Sequence, residues 1–205
     1  MSKVSGGSTE RGGQMITVVT GFTRSGTSLM MRMLHVGGMD VYAENPFSYE
    51  THDNFRLPHD TDWLSQAENK AMKILEPLEF YPPRGREYRF IFMTRDPIQQ
   101  AKSQLKFLSA TMEDFEVSRH ALTKIKRSLK RDTPKAIEML ISYPASQLIV
   151  VPFEALIAHP TGEAMRVSRL CGGLNVLAMA GTVIERSSDC LPYFLELEQI
   201  AEGRR

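Results

Sequence analysis

Met15 to Val36, MITVVTGFTRSGTSLMMRMLHV, limits what this chain can fold into more than any other stretch. Met15 to Thr20 is a short β-branched run that ends at glycine, which predicts a buried strand. After a loop, Thr27 to Val36 sets Leu29, Met30, Met33 and Leu34 on one helical face, with Gly37-Gly38 as the stop. The methionines read as core. A glycine-bearing turn between a strand and a helix N-terminus aims several backbone N–H groups, and the positive end of the helix dipole, at one spot. That spot favours an anion.

Two further apolar runs, Arg89 to Thr94 (RFIFMT) and Gln147 to Val151 (QLIVV), are continuous rather than alternating, which suits strands covered on both faces of a parallel sheet. Between them, Ile98 to Leu108 and the Lys/Arg-rich segment from Glu113 to Tyr143 predict the crossover layer, the latter as two or more helices with a boundary near Pro134. The basic run Lys124, Lys126, Arg127, Lys130 and Arg131 reads as a solvated helix face. Tyr42 to Pro58 is polar, aromatic and broken by prolines, the composition of a loop over a sheet edge. Residues 1–14 are Gly/Ser/charged and predict a disordered leader. No repeat is evident, so residues 15–205 read as one α/β domain, a three-layer sandwich around a mostly parallel sheet.

Gly21 to Ser28 matches the spacing of the nucleotide P-loop, GxxxxGK[ST], except that Thr27 stands where the lysine belongs. That lysine holds the β and γ phosphates in an ATP or GTP site, so its absence weakens a kinase or NTPase reading. The cation sits three residues earlier, at Arg24.

The run TRSGTSLM resembles the 5′-phosphosulfate loop of the sulfotransferase family, which carries a basic residue, Ser/Thr-Gly-Thr/Ser-Ser/Thr and an apolar residue. The resemblance implies a P-loop fold and 3′-phosphoadenosine 5′-phosphosulfate (PAPS) as donor, with 3′-phosphoadenosine 5′-phosphate (PAP) as product. It also implies donor contacts from Thr23, Arg24, Ser25, Gly26, Thr27 and Ser28. The family's second signature, an arginine at a strand end, a proline two residues on and a serine eight residues after the arginine, is met by Arg95, Pro97 and Ser103. Arg95 and Ser103 would then grip the 3′-phosphate, for which a planar guanidinium and a hydroxyl are suited donors. Val150 to Leu174 is similar to the family's late strand, Glu-x-Leu turn, His-Pro step and final helix. The chain looks like a short, bacterial- or phage-type member. It departs from the family at Leu29, where cytosolic members usually have tryptophan, and in lacking their Arg-x-Gly segment, for which Arg186 is a possible substitute.

In this reading Arg24 takes the place of the family's catalytic lysine and stabilises charge on the departing oxygen. Family members that modify protein tyrosines carry a carboxylate about twenty residues after the loop's basic residue. Glu44 follows Arg24 by twenty and is the first candidate base, with Glu50, His52 and Asp53 as alternatives. His35 and His159 read as structural. The acceptor is expected to be a small molecule, glycan or peptide. Two other readings stand beside this one: a magnesium-dependent small kinase using Asp96, and a catalytically silent nucleotide-binding module.

Composition fits a pocketed enzyme better than a charged coat. With 25 Lys+Arg against 24 Asp+Glu, a net charge of +1 implies neither nucleic acid nor anionic membrane as partner. Two cysteines, Cys171 and Cys190, are too few for a disulfide scaffold and read as thiols of a cytoplasmic protein.

Overall fold

The computed structural model describes residues 15–44, 49–50, 62–112, 115 and 117–183. The expected leader, most of the proline-bearing loop with His52 and Asp53, and Arg186 and Cys190 lie outside the described residues.

Four parallel strands are ordered β2-β1-β3-β4: β1 (Ile16–Gly21), β2 (Ala71–Leu75), β3 (Tyr88–Thr94) and β4 (Gln147–Pro152). Side chains alternate between two faces, and each face has its own core. Ile16, Val18, Met72, Ile74, Tyr88, Phe90 and Phe92 point to one side. There they meet Ala101 of helix α2 (Pro97–Thr111) and Leu129, Ala136 and Leu140 of α3 (Arg119–Ile141). Val19, Ile91, Met93 and Val151 point to the other, where α1 (Thr27–Val36) contributes Met30, Met31, Met33 and Leu34. Leu156 of α4 (Phe153–Ala158), Val167 of α5 (Pro160–Leu170) and Met179 of α6 (Val176–Gly181) complete that side. Helices on both faces make the three-layer P-loop α/β sandwich that the apolar runs imply.

The central pair β1 and β3 is buried throughout most of its length, which is why both runs are apolar without interruption. β2 is an edge strand that the apolar pattern does not announce, because Lys73 breaks AMKIL. Its outer side is partly covered by the chain after α1, where Ala71 N–H donates to Asp40 O and Tyr42 N–H to Ala71 O, both at 2.8 Å. The described part of the Tyr42 loop therefore does run along a sheet edge.

One expectation is corrected. The segment after residue 118 forms a single helix, with Pro134 inside it. Leu129 lies before the proline and Ala136 and Leu140 after it, all three buried against the same sheet face, so packing holds both halves on one axis. Pro134 and Lys130 lie on the exposed side, where water can replace the hydrogen bond that the ring removes. A helix-interior proline costs about 3 kcal/mol relative to alanine, offset by about 1 kcal/mol through the stiffer unfolded chain. Pro134→Ala is accordingly expected to stabilise the protein by about 2 kcal/mol in urea unfolding. A loss of stability would mean that the proline sets a bend which the core requires.

Candidate active site

All the elements that carry polar side chains to the loop between β1 and α1 reach it at the C-terminal ends of the strands. Gly21 has φ 152°, and a Cβ there would stand 2.6 Å from Met93 O. Gly26, at φ 103°, forms the N-cap of α1; a Cβ on it would lie 2.5 Å from the Phe153 ring. No side chain caps the first turn of α1 and no acidic residue lies in it, which leaves the helix N-terminus open toward the loop. Ser25 is buried at 1% exposure, and its Oγ has no hydrogen-bond partner among the described residues.

The loop is held from outside. Glu76 follows β2, and its Oε1 accepts from both Thr23 N–H and Thr23 Oγ1 at 2.8 Å. Gln100 Nε2 donates to Phe22 O at 3.1 Å and to Thr23 O at 3.0 Å, and Gln104 Nε2 donates to Thr23 O at 2.7 Å. Arg24 takes a left-handed backbone, φ 69°. Its Nε donates to Ser103 Oγ at 3.1 Å, and its guanidinium carbon lies 5.6 Å from the centre of the Phe107 ring.

Arg95 leaves β3 toward the same loop. Its guanidinium carbon stands 4.5 Å from the Phe153 ring centre and its Nη1 donates to Arg24 O at 3.4 Å. Glu154 Oε1 accepts from Asp96 N–H at 2.9 Å, fixing the turn that follows Arg95. Asp96 itself caps α2, its Oδ1 accepting from Ile98 and Gln99 N–H at 3.0 Å.

A third cation comes from β2. Lys73, 1% exposed, points to the α1 side of the sheet and donates from Nζ to Ser28 Oγ at 3.2 Å and to Glu50 Oε1 at 3.0 Å. An ammonium so far out of water requires such partners. Glu44 is exposed, and its N–H donates to Glu50 O at 3.1 Å. His35 packs edge-on against Tyr49 at 6.0 Å between ring centres.

Residues 86–174, which include β3, Arg95, Ser103 and β4, match the family model described as the sulfotransferase family. No curated protein matches the chain. Among solved structures, it is similar to mouse sulfotransferase SULT7A1 complexed with PAP, with 12% sequence identity and a TM-score of 0.56. The likeness covers 86% of this chain and spans 64% of that one, and it supports the fold.

Within this fold, the structure gathers Thr23 to Ser28, Arg95 and Ser103 at one loop. Ser103 touches Arg24 rather than Arg95. Glu44 lies on the segment beside β2, and Glu50 reaches the loop only through Lys73. Sequence reasoning passed over Lys73, Glu76, Gln100 and Gln104, and read Glu154 only as part of the Glu-x-Leu turn. A lysine inside an apolar pentapeptide was the one available signal; the others are single polar residues without pattern.

Cys171, the described cysteine, stands apart from this site. Burial, in first place, pushes its thiol up to about 11, outweighing the opposing influences of Arg89 and Thr17. At pH 8 only about 0.1% is thiolate, so alkylation should be slow and should accelerate as pH rises toward 11. Iodoacetamide labelling in a Cys190→Ser background measures this; rapid labelling at pH 7 would contradict a buried, protonated thiol.

Proposed function

We propose that this protein moves the sulfuryl group of PAPS onto a hydroxyl or amine of a small-molecule, glycan or peptide acceptor. The observation that carries this reading is the placement of Arg24. The residue at the nucleotide-lysine position, Thr27, is buried, whereas Arg24 stands at the loop with its guanidinium braced by Ser103 and Phe107. The open α1 terminus and the unsatisfied Ser25 hydroxyl fit a bound 5′-phosphate. PAPS supplies the sulfuryl group and departs as PAP.

In this reading the amides from Ser25 to Ser28 hold the 5′-phosphate. Arg24 and Lys73 stabilise the negative charge that grows on the departing oxygen as its bond to sulfur breaks. Arg24 stays protonated throughout and acts as an electrostatic clamp. Arg95 and Ser103 are assigned to the 3′-phosphate. Glu44 accepts the proton that an acceptor hydroxyl gives up as its oxygen bonds to sulfur. Glu50 is less suited to that task, since its carboxylate is engaged by Lys73. Asp96, the carboxylate on which a small kinase would depend, is engaged in capping α2, and this weighs against that alternative.

Calorimetry should find that PAP binds with chelator present and in preference to ATP. Magnesium-dependent ATP binding without affinity for PAP would overturn the reading. Arg95→Ala should weaken PAP binding about tenfold or more, a charge-assisted hydrogen bond being worth about 1.5–3 kcal/mol, and leave adenosine 5′-phosphosulfate nearly unaffected. Equal losses for both ligands would make Arg95 a support of the fold. Arg24→Ala should instead lower turnover about a hundredfold or more while PAP binding persists through the loop amides.

A further inference from the structure

Glu50 belongs to none of the motifs, yet it closes a connection between the phosphate loop and the candidate base. From α1, Ser28 Oγ accepts from Lys73 Nζ at 3.2 Å; the same ammonium donates to Glu50 Oε1 at 3.0 Å; and Glu50 O accepts from Glu44 N–H at 3.1 Å. The middle of this chain is rigid. Lys73 is fixed within β2, where its strand neighbour across the ladder is Val19 of β1, and it has 1% exposure. The outer end is loosely covered, since the Glu50 side chain is 53% exposed. The loop segment therefore meets the sheet through a charged contact at its far end and through backbone bonds to Ala71 at its near end.

Exposed ion pairs contribute little, but this one has a partner that cannot leave. A buried ammonium cannot recover its hydration, so it retains a carboxylate or another hydrogen-bond acceptor within reach. We infer that Glu50 is a positioning residue, which ties the segment bearing Glu44 to the donor loop so that an anion held at Ser28 and Lys73 orders the base segment. The inference rests on the sulfotransferase reading and deepens it. An anion at the loop draws on Ser28 Oγ and on the Lys73 ammonium, and any resulting shift or stiffening is transmitted to Glu50 and from its carbonyl to the Glu44 amide. Through this route the donor and the base are set together, before an acceptor arrives.

The test needs no knowledge of the acceptor. Hydrogen–deuterium exchange with and without PAP, on wild type, Glu50→Ala and Glu50→Gln, reads the peptide spanning residues 39–50, while calorimetry reads PAP affinity on the same samples. PAP is expected to slow exchange of this peptide in wild type. In Glu50→Ala the affinity should remain within about threefold while the slowing is lost, because the donor contacts are intact and only the tether is cut. Glu50→Gln keeps an oxygen that can accept from Lys73 and should retain part of the response; it also decides the question if the alanine variant folds poorly. With labelled PAPS and water as the acceptor, Glu50→Ala should lower hydrolysis about tenfold at unchanged KM for the donor.

Undiminished PAP-induced protection in Glu50→Ala would overturn the tether alone. A fall of about tenfold or more in its PAP affinity would also overturn it, by making Glu50 part of the donor site. Wild-type protein that binds no PAP would overturn the sulfotransferase reading itself.

Discussion

The site depends on a backbone turn that is kept in an unfavourable conformation. Arg24 adopts a left-handed backbone between two glycines with positive φ, and a non-glycine residue in that region costs of order 1 kcal/mol or more. The compensation is visible at the residue before it. Thr23 is bonded at its N–H, its hydroxyl and its carbonyl by Glu76, Gln100 and Gln104. Glu76, itself at φ 54°, donates from its N–H to Gly21 O. The turns that follow β1 and β2, each with a strained residue, are thus joined through Thr23, Gly21 and Glu76, and the turn is determined before any ligand reaches it. Such preorganisation is what an electrostatic catalyst needs, because donors that do not have to reorient lose nothing when charge develops.

Lys73 extends the same logic to the sheet. An interior position on a parallel strand normally carries an apolar side chain, since both faces are covered. Here the strand lies at the edge, next to the first turn of α1, and the ammonium is accommodated because Ser28 and Glu50 meet it. Its burial also brings it close to the loop: a lysine on the exposed face of a helix could adopt many rotamers, whereas this one is restricted to the phosphate loop. The local cationic character of the site therefore coexists with a chain of nearly balanced charge.

Most of the fold was legible where pattern and physics coincide. β1 is a β-branched run, β3 and β4 carry continuous apolar runs, and α1 ends at paired glycines. β2 was not legible, because the lysine that makes it informative also destroys its apolar signature. The break expected at Pro134 failed for a tertiary reason: local chemistry disfavours the helix there, but burial on both sides outweighs it. At the site, the motifs identify which residues converge without saying how they touch. The contact of Arg24 with Ser103 spans 79 positions, and nothing in either segment indicates that the serine hydroxyl accepts from the arginine. Glu76 is similarly silent in sequence, since an isolated carboxylate after a strand is more often solvated than engaged.

The geometry around residue 24 also shows what a guanidinium gains over an ammonium at this loop. The side chain is used along its length: Nε donates to Ser103 Oγ, and the guanidinium carbon lies over the Phe107 ring. A lysine has no donor partway along its stem and no flat face to stack, so it would be placed by its charge alone. Arginine is thus anchored partway along its side chain as well as by its charge. The surrounding residues fit that use, since Ser103 is buried on α2 one turn from Phe107, and both project toward the loop that Gln100 and Gln104 hold. One helix therefore fixes the loop's backbone and its cation together, so that the position of the charge and the position of the loop amides are set by a single rigid element.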